Sequence, residues 1–187
     1  MRMRYILTVL IFIPTLCVGQ LIDELPRDDN GNLYYSETEK VDGINSKELF
    51  IRAKQFYVNN FKSAKDVIQM DDKEAGIIIG KGLSQYYIKI VGVDNGPHQL
   101  WYTIKIQVKD GRYKYEIYDF FLSGLESAQK ERVESQFNKT SYFKKNGQPK
   151  DIYEKMKNGM TGEIAELIRS IKDAMNKKKG TDKKDDW

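Results

Sequence analysis

The sequence predicts an α+β domain: a curved antiparallel sheet with two helices on one face and its other face open. Three observations predict it. A two-residue turn, Asp110-Gly111, joins two runs of alternating apolar residues. A capped amphipathic helix begins near Asn45. A stripe of apolar residues at helical spacing runs from Ile164 to Met175.

Residues 101–109 and 112–121 form the clearest pair of strands, because Asp-Gly between alternating segments is a strong hairpin signal. A two-residue turn pairs Val108 with Tyr113, Ile106 with Tyr115 and Ile104 with Ile117, all on one apolar face. The other face pairs Lys109 with Arg112, Gln107 with Lys114 and Lys105 with Glu116. A slip of one residue would invert both faces, so the pattern sets the register.

At Asn45 the side chain can accept from a first-turn amide, and Glu48 three residues on completes a capping box. Leu49, Phe50, Ala53, Phe56, Tyr57 and Phe61 then repeat at helical spacing. The last helix carries Ile164, Leu167, Ile168, Ile171 and Met175 on one stripe. Its start lies either at Asp151 or after Gly162, since Gly159 and Gly162 weaken the middle. Between the helices, residues 67–70 and 77–82 flank an acidic turn and read as a further hairpin. Residues 86–91 read as another strand, and residues 94–99, with Gly96-Pro97, as a turn. Residues 33–41 form a strand before the first helix.

The ends differ from this interior. Residues 1–19 read as a secretory leader: Arg2 and Arg4, an apolar run from Ile6 to Ile13, Pro14, and small residues before cleavage after Gly19. The run is too short to span a bilayer, which needs about 20 residues. Leu16 is not the small residue that lipidation of Cys17 asks for, so no lipid anchor is expected. Export to the periplasm or cell exterior follows, with no transmembrane segment after cleavage. The chain divides into the leader (1–19), a strand-helix-sheet core (20–122), an irregular connection (123–150), the final helix (151–175) and a polar tail (176–187). The whole chain has 31 basic and 27 acidic side chains and a pI near 8.9. Without the leader's two arginines and the tail's five lysines and three aspartates, residues 20–175 balance at 24 of each. The basic pI therefore belongs to the ends. The single Cys excludes a disulfide framework, and the single His excludes a His-cluster metal centre.

Several segments together carry a family resemblance. They are Asp29-Asn30-Gly31-Asn32-Leu33-Tyr34-Tyr35, Ser46-Lys47-Glu48-Leu49, Asp71-Asp72-Lys73-Glu74-Ala75-Gly76, Gly80-Lys81-Gly82 and Val108-Lys109-Asp110-Gly111-Arg112-Tyr113-Lys114-Tyr115. Over about residues 28–122 the chain resembles a domain-of-unknown-function family of exported Bacteroidetes proteins with a TATA-binding-protein-like fold. The resemblance implies a curved antiparallel sheet backed by helices. It implies no activity, and it supplies no catalytic residues.

Motifs for chemistry are weak. Asp28, Asn30, Asn32 and Glu39 fall at positions one, three, five and twelve of a calcium loop, but position six is Leu33 where the turn needs Gly. Gly76 to Gly82 is one residue short of a phosphate loop and has Gly82 in place of the hydroxyl residue. His98 would have to be the base of any Ser–His–Asp hydrolase, and no serine sits in a nucleophile elbow. Asp71 and Asp72 are adjacent, so their carboxylates should point apart. No catalytic residue, cofactor or metal is therefore assigned. Nucleic acid is not expected as a partner, because the leader removes the chain from the chromosome and the basic patch is modest.

The aromatic residues carry more. Continuing the hairpin register pairs Trp101 with Phe120 and Thr103 with Tyr118 on the open face. Contiguous exposed aromatics mark interaction sites. Trp101, Tyr118 and Phe120 are thus the expected contact patch for a protein, peptide or glycan, unless the 123–149 connection or a sheet edge covers them. The leading expectation is an exported, non-catalytic binding module. The alternative is a secreted hydrolase using His98 or paired carboxylates.

Overall fold

In the computed structural model, which describes residues 25–123 and 129–177, eleven elements follow one another. They are β1 (Tyr35–Lys40), α1 (Ser46–Asn60), α2 (Ala64–Val67), β2 (Ile68–Asp72), β3 (Ile77–Ile90), β4 (Val93–Lys109), β5 (Arg112–Ser123), β6 (Glu131–Arg132), α3 (Val133–Phe137), a 3-10 turn (Thr140–Tyr142) and α4 (Asp151–Met175). Residues 1–24, which include the leader, residues 124–128 and residues 178–187 of the tail lie outside the described residues. The strands make one antiparallel sheet in the order β1-β5-β4-β3-β2, with β6 also on β5. The predicted α+β architecture is the observed one, with α1 and α4 packed on one face.

Each long helix is placed by identifiable residues. Asn45 Oδ1 accepts from Glu48 N at 2.9 Å, which caps α1. Only half of the expected capping box forms, because the Glu48 carboxylate turns to Arg52 at 3.1 Å. Arg52 is buried and donates to the Met175 carbonyl at 2.8 Å, tying α1 to the C-terminus of α4. Along α4 the buried stripe is Tyr153, Met156, Met160, Ile164, Leu167, Ile171 and Met175. Near its end, Lys172 reaches Glu37 and Glu39 of β1, each at 2.7 Å.

Two glycines of opposite kind sit in α4. A Cβ on Gly159 would lie 2.5 Å from the Tyr86 ring, so only Gly lets the helix approach β3 there. A Cβ on Gly162 would meet nothing within 4 Å.

The β4–β5 hairpin pairs Val108 with Tyr113, Ile106 with Tyr115, Ile104 with Ile117 and Lys105 with Glu116, as its alternation requires. The β3–β4 hairpin differs from expectation. Residues 77–82 and 86–90 belong to one long strand, β3, Val91 lies in the turn that follows it, and residues 94–99 lie within β4. The reversal is at Val91-Gly92, where both residues are left-handed, with φ of 50° and 78°. Gly96-Pro97 is instead a bulge opposite Tyr87, a place in a strand where a residue without an N–H is tolerated. In the connection, Glu131–Arg132 is strand, and helix is confined to Val133–Phe137 among the described residues; Val133 and Phe137 join the core.

Candidate functional site

The face away from the helices presents rows of side chains that cross the strands. In chain register these are Lys40–Arg112–Lys109, Thr38–Lys114–Gln107–Ile77, Ser36–Glu116–Lys105–Ile79, Tyr118–Thr103–Lys81 and Arg132–Phe121–Trp101–Leu83. The third row ends at Met70 of β2, and Lys89 and Asp94 pair nearer the β3–β4 turn. This face therefore gathers Lys40, Lys81, Lys89, Lys105, Lys109, Arg112, Lys114 and Arg132 against Asp72, Asp94, Glu116 and Asp119. A segment with balanced total charge thus folds into a sheet with one cationic face. In the sequence alone only the modest cluster around Lys109, Arg112 and Lys114 is legible.

The aromatic patch needs one correction. The β4–β5 register shifts between Trp101 and Thr103: Tyr102 faces two residues, Asp119 and Phe120. Asp119 takes a left-handed φ of 54°, which Asp tolerates better than most residues. The bulge turns Phe120 to the helix side, where it is 1% exposed and packs against Tyr35 and Tyr102. Phe121 takes the place expected of Phe120 and pairs with Trp101. Thr103 and Tyr118 pair as expected, and Tyr118 lies 6.4 Å from the Tyr34 ring. The bulge does leave a trace in the sequence. Tyr113, Tyr115 and Ile117 keep one phase of alternation, and Phe120 and Leu122 resume in the other.

The connection covers part of the patch. Lys130 Nζ sits 3.3 Å above the Trp101 ring and the Arg132 guanidinium 5.2 Å from that of Phe121. Trp101 and Phe121 stay half-buried. Together with Lys81, Thr103 and Asp119, these groups line a depression of about 410 Å³. Three cations, Lys81, Lys130 and Arg132, against one weakly paired carboxylate (Arg132–Asp119, 3.6 Å) make it an aromatic floor with a positive rim. Neither Lys130 nor Arg132 stood out in the sequence, because their position depends on β6 folding back onto β5.

Beside it, Glu116 is held by Lys105 and Lys114, both at 2.8 Å, and by the Tyr34 hydroxyl. Burial pushes its carboxyl up, but the bonds from Lys105, Lys114 and Tyr34 outweigh that and bring it down to about 2. It is a fixed anion that neutralises two of the lysines.

The other chemical candidates are not brought together. His98 lies on β4, half-buried, stacked on Tyr86 at 5.3 Å and bonded to Asn95 Oδ1 at 3.1 Å. Burial lowers its imidazole below the ordinary 6.5. Asp71 faces α1 and pairs with Lys54 at 2.6 Å, whereas Asp72 points to the open side and accepts from Ala75 N. Asp28 accepts from the amides of Asn30 and Asn32, an ordinary turn. Glu39 is committed to Lys172 on the helix side, so it cannot close a calcium loop around Asp28. No helix among the described residues is long and apolar enough to cross a membrane.

Comparison with known proteins places the fold. A crystal structure of a DUF4468 family protein from Bacteroides ovatus superimposes with a TM-score of 0.65 at 15% identity, covering 83% of this chain and 92% of that one. A TBP-like protein from Parabacteroides distasonis gives 0.59 at 14% identity, over 81% and 97% of the two chains. No curated protein matches the chain. Residues 35–122, just under half of the chain, match the family model "Domain of unknown function (DUF4468) with TBP-like fold".

Proposed function

We propose that the chain is an exported, non-catalytic binding module of the periplasm or cell surface that contacts its partner through the open sheet face. The observation that carries the reading is the row Arg132–Phe121–Trp101–Leu83, where half-buried aromatics and cations share one depression. Aromatic and arginine side chains in such settings dominate recognition. The leader sequence supports export, and the dispersal of His98, Asp71 and Asp72 supports binding over hydrolysis.

The test is capture from the native cell envelope by the chain lacking its leader, compared with W101A/Y118A/F121A. The variant should keep its thermal melt and lose the partner. Equal capture by a folded variant would sink the reading. Fractionation of the native organism tests export separately, with Gln20 expected as the first residue of the mature chain.

A further inference from the structure

Among the described residues, β2 pairs with β3 only as far as Gly80. Beyond it, the outer edge of β3 has no strand partner over residues 81–90, while β4 pairs the inner edge almost to the turn. The open-face side chains along this edge are Lys81, Leu83, Gln85, Tyr87 and Lys89. Leu83 is 37% exposed and Tyr87 59%. A free edge of this kind accepts an added strand: main-chain bonds supply affinity, and alternate side chains supply specificity.

A second copy is a poor occupant in three of its registers. Two antiparallel copies related by a two-fold axis must match residues of the same face. The register centred on Gln85 sets Leu83 against Tyr87, but it also sets Lys81 against Lys89. Centring on Tyr86 places Leu83 against Lys89, and centring on Ser84 places Tyr87 against Lys81. Each of these three registers opposes like charges or sets a lysine against an apolar side chain, whereas centring on Tyr87 sets Tyr87 against itself and Gln85 against Lys89 without either conflict. The two lysines that discourage self-pairing are complementary to acids.

The geometry points to strand addition at β3 by a partner peptide with acidic side chains opposite Lys81 and Lys89 and apolar ones opposite Leu83 and Tyr87. Running antiparallel, such a segment reads acidic at its first and ninth positions and apolar at its third and seventh. The site adjoins the aromatic contact, sharing Lys81 and Leu83 with it, but Tyr118 stands two strands in from the edge, so Tyr118→Ala leaves the edge unchanged while weakening the proposed face contact.

The probe is a fluorescein-labelled peptide, DTVTQTVTD, titrated by anisotropy into the full chain. It should bind at least about tenfold more tightly than KTVTQTVTK, a scramble of the same composition, or a form N-methylated at alternate amides. K81E/K89E should reverse the preference between the acidic and lysine peptides while keeping the wild-type melt. The proposal is overturned if the acidic peptide does not bind or binds no better than the scramble. Insensitivity to N-methylation would overturn it too, as would a dimer in sedimentation that excludes the peptide.

Discussion

Two hairpins share β4, and each turns on a glycine, yet the chain treats them differently. At Asp110-Gly111 the turn is polar and anchored. The Asp110 carboxylate accepts from Ser46 N at 2.7 Å, and Gly111 bonds both Ile44 and Val41 through the backbone. At Val91-Gly92 a β-branched residue occupies a left-handed position that Asn, Asp or Gly usually fills, and it is 94% exposed. Val93 beside it is 70% exposed. The first hairpin is built from what the fold needs. The second carries apolar residues that the fold does not bury. Its helix-side residues Tyr86 and Ile88 are held by Gly159 of α4, and its outer edge is open. The anchored hairpin is tied into the domain on both sides, whereas the second has an edge of β3 without a strand neighbour among the described residues, the place where the added strand is proposed.

The largest expected effect lies inside the anchored hairpin. Phe120→Ala should lose about 3–5 kcal/mol of stability by opening a cavity, whereas Phe121→Ala should lose about 1 kcal/mol or less. Urea melts of both decide it, and equal losses would mean that the bulge at Asp119 is misplaced.

Next is Glu116. Its folded carboxyl lies at about 2, below the ordinary 4.5, so its stabilisation is complete above 4.5 and disappears as pH falls toward 2. After discounting for solvent screening of Lys105 and Lys114, this amounts to about 2 kcal/mol. Glu116→Gln should therefore flatten the acid limb of stability measured against pH, and an unchanged limb would show that the carboxylate is not held by these partners.

The free hairpin gives smaller changes. Gly159→Ala should destabilise by about 1–2 kcal/mol, because a methyl there meets the buried Tyr86 ring. Gly162→Ala, in open space, should stabilise by about 0.5–1 kcal/mol through helix propensity alone. Thermal melts showing the same sign for both would break the packing account. Smallest are the turns themselves. Asp110→Ala should lose about 1 kcal/mol with its anchor, and Val91→Asn should gain about 0.5–1 kcal/mol by relieving the left-handed valine. A stability loss at Val91 would mean that its side chain packs after all.

These differences also show what was legible in the sequence. Pairings from Ile104 to Ile117 were readable because alternation and a two-residue turn over-determine the register. The Asn45 cap and the α4 stripe were readable for the same reason: local chemistry and periodicity agree. Bulges were not, since one inserted residue reverses facing without altering composition; that misplaced Phe120 and turned Gly96-Pro97 into an apparent loop end. The site suffered most. Trp101 and Tyr118 follow from alternation, but Phe121 depends on the bulge, and Lys130 and Arg132 depend on a two-residue strand that folds back onto β5. The cationic face was hidden because balanced totals say nothing of how charge divides between two faces.

Amide hydrogen exchange on the full chain tests the central claim most directly, because it compares the two hairpins residue by residue. The account predicts slow exchange over β5 residues 112–117 and 121–122, which have strand neighbours on both sides, and rapid exchange at alternate amides of β3 residues 81–90, slowed when the acidic peptide is added. Protection of residues 81–90 equal to that of β5 in the isolated chain would contradict it, since the edge would already be covered.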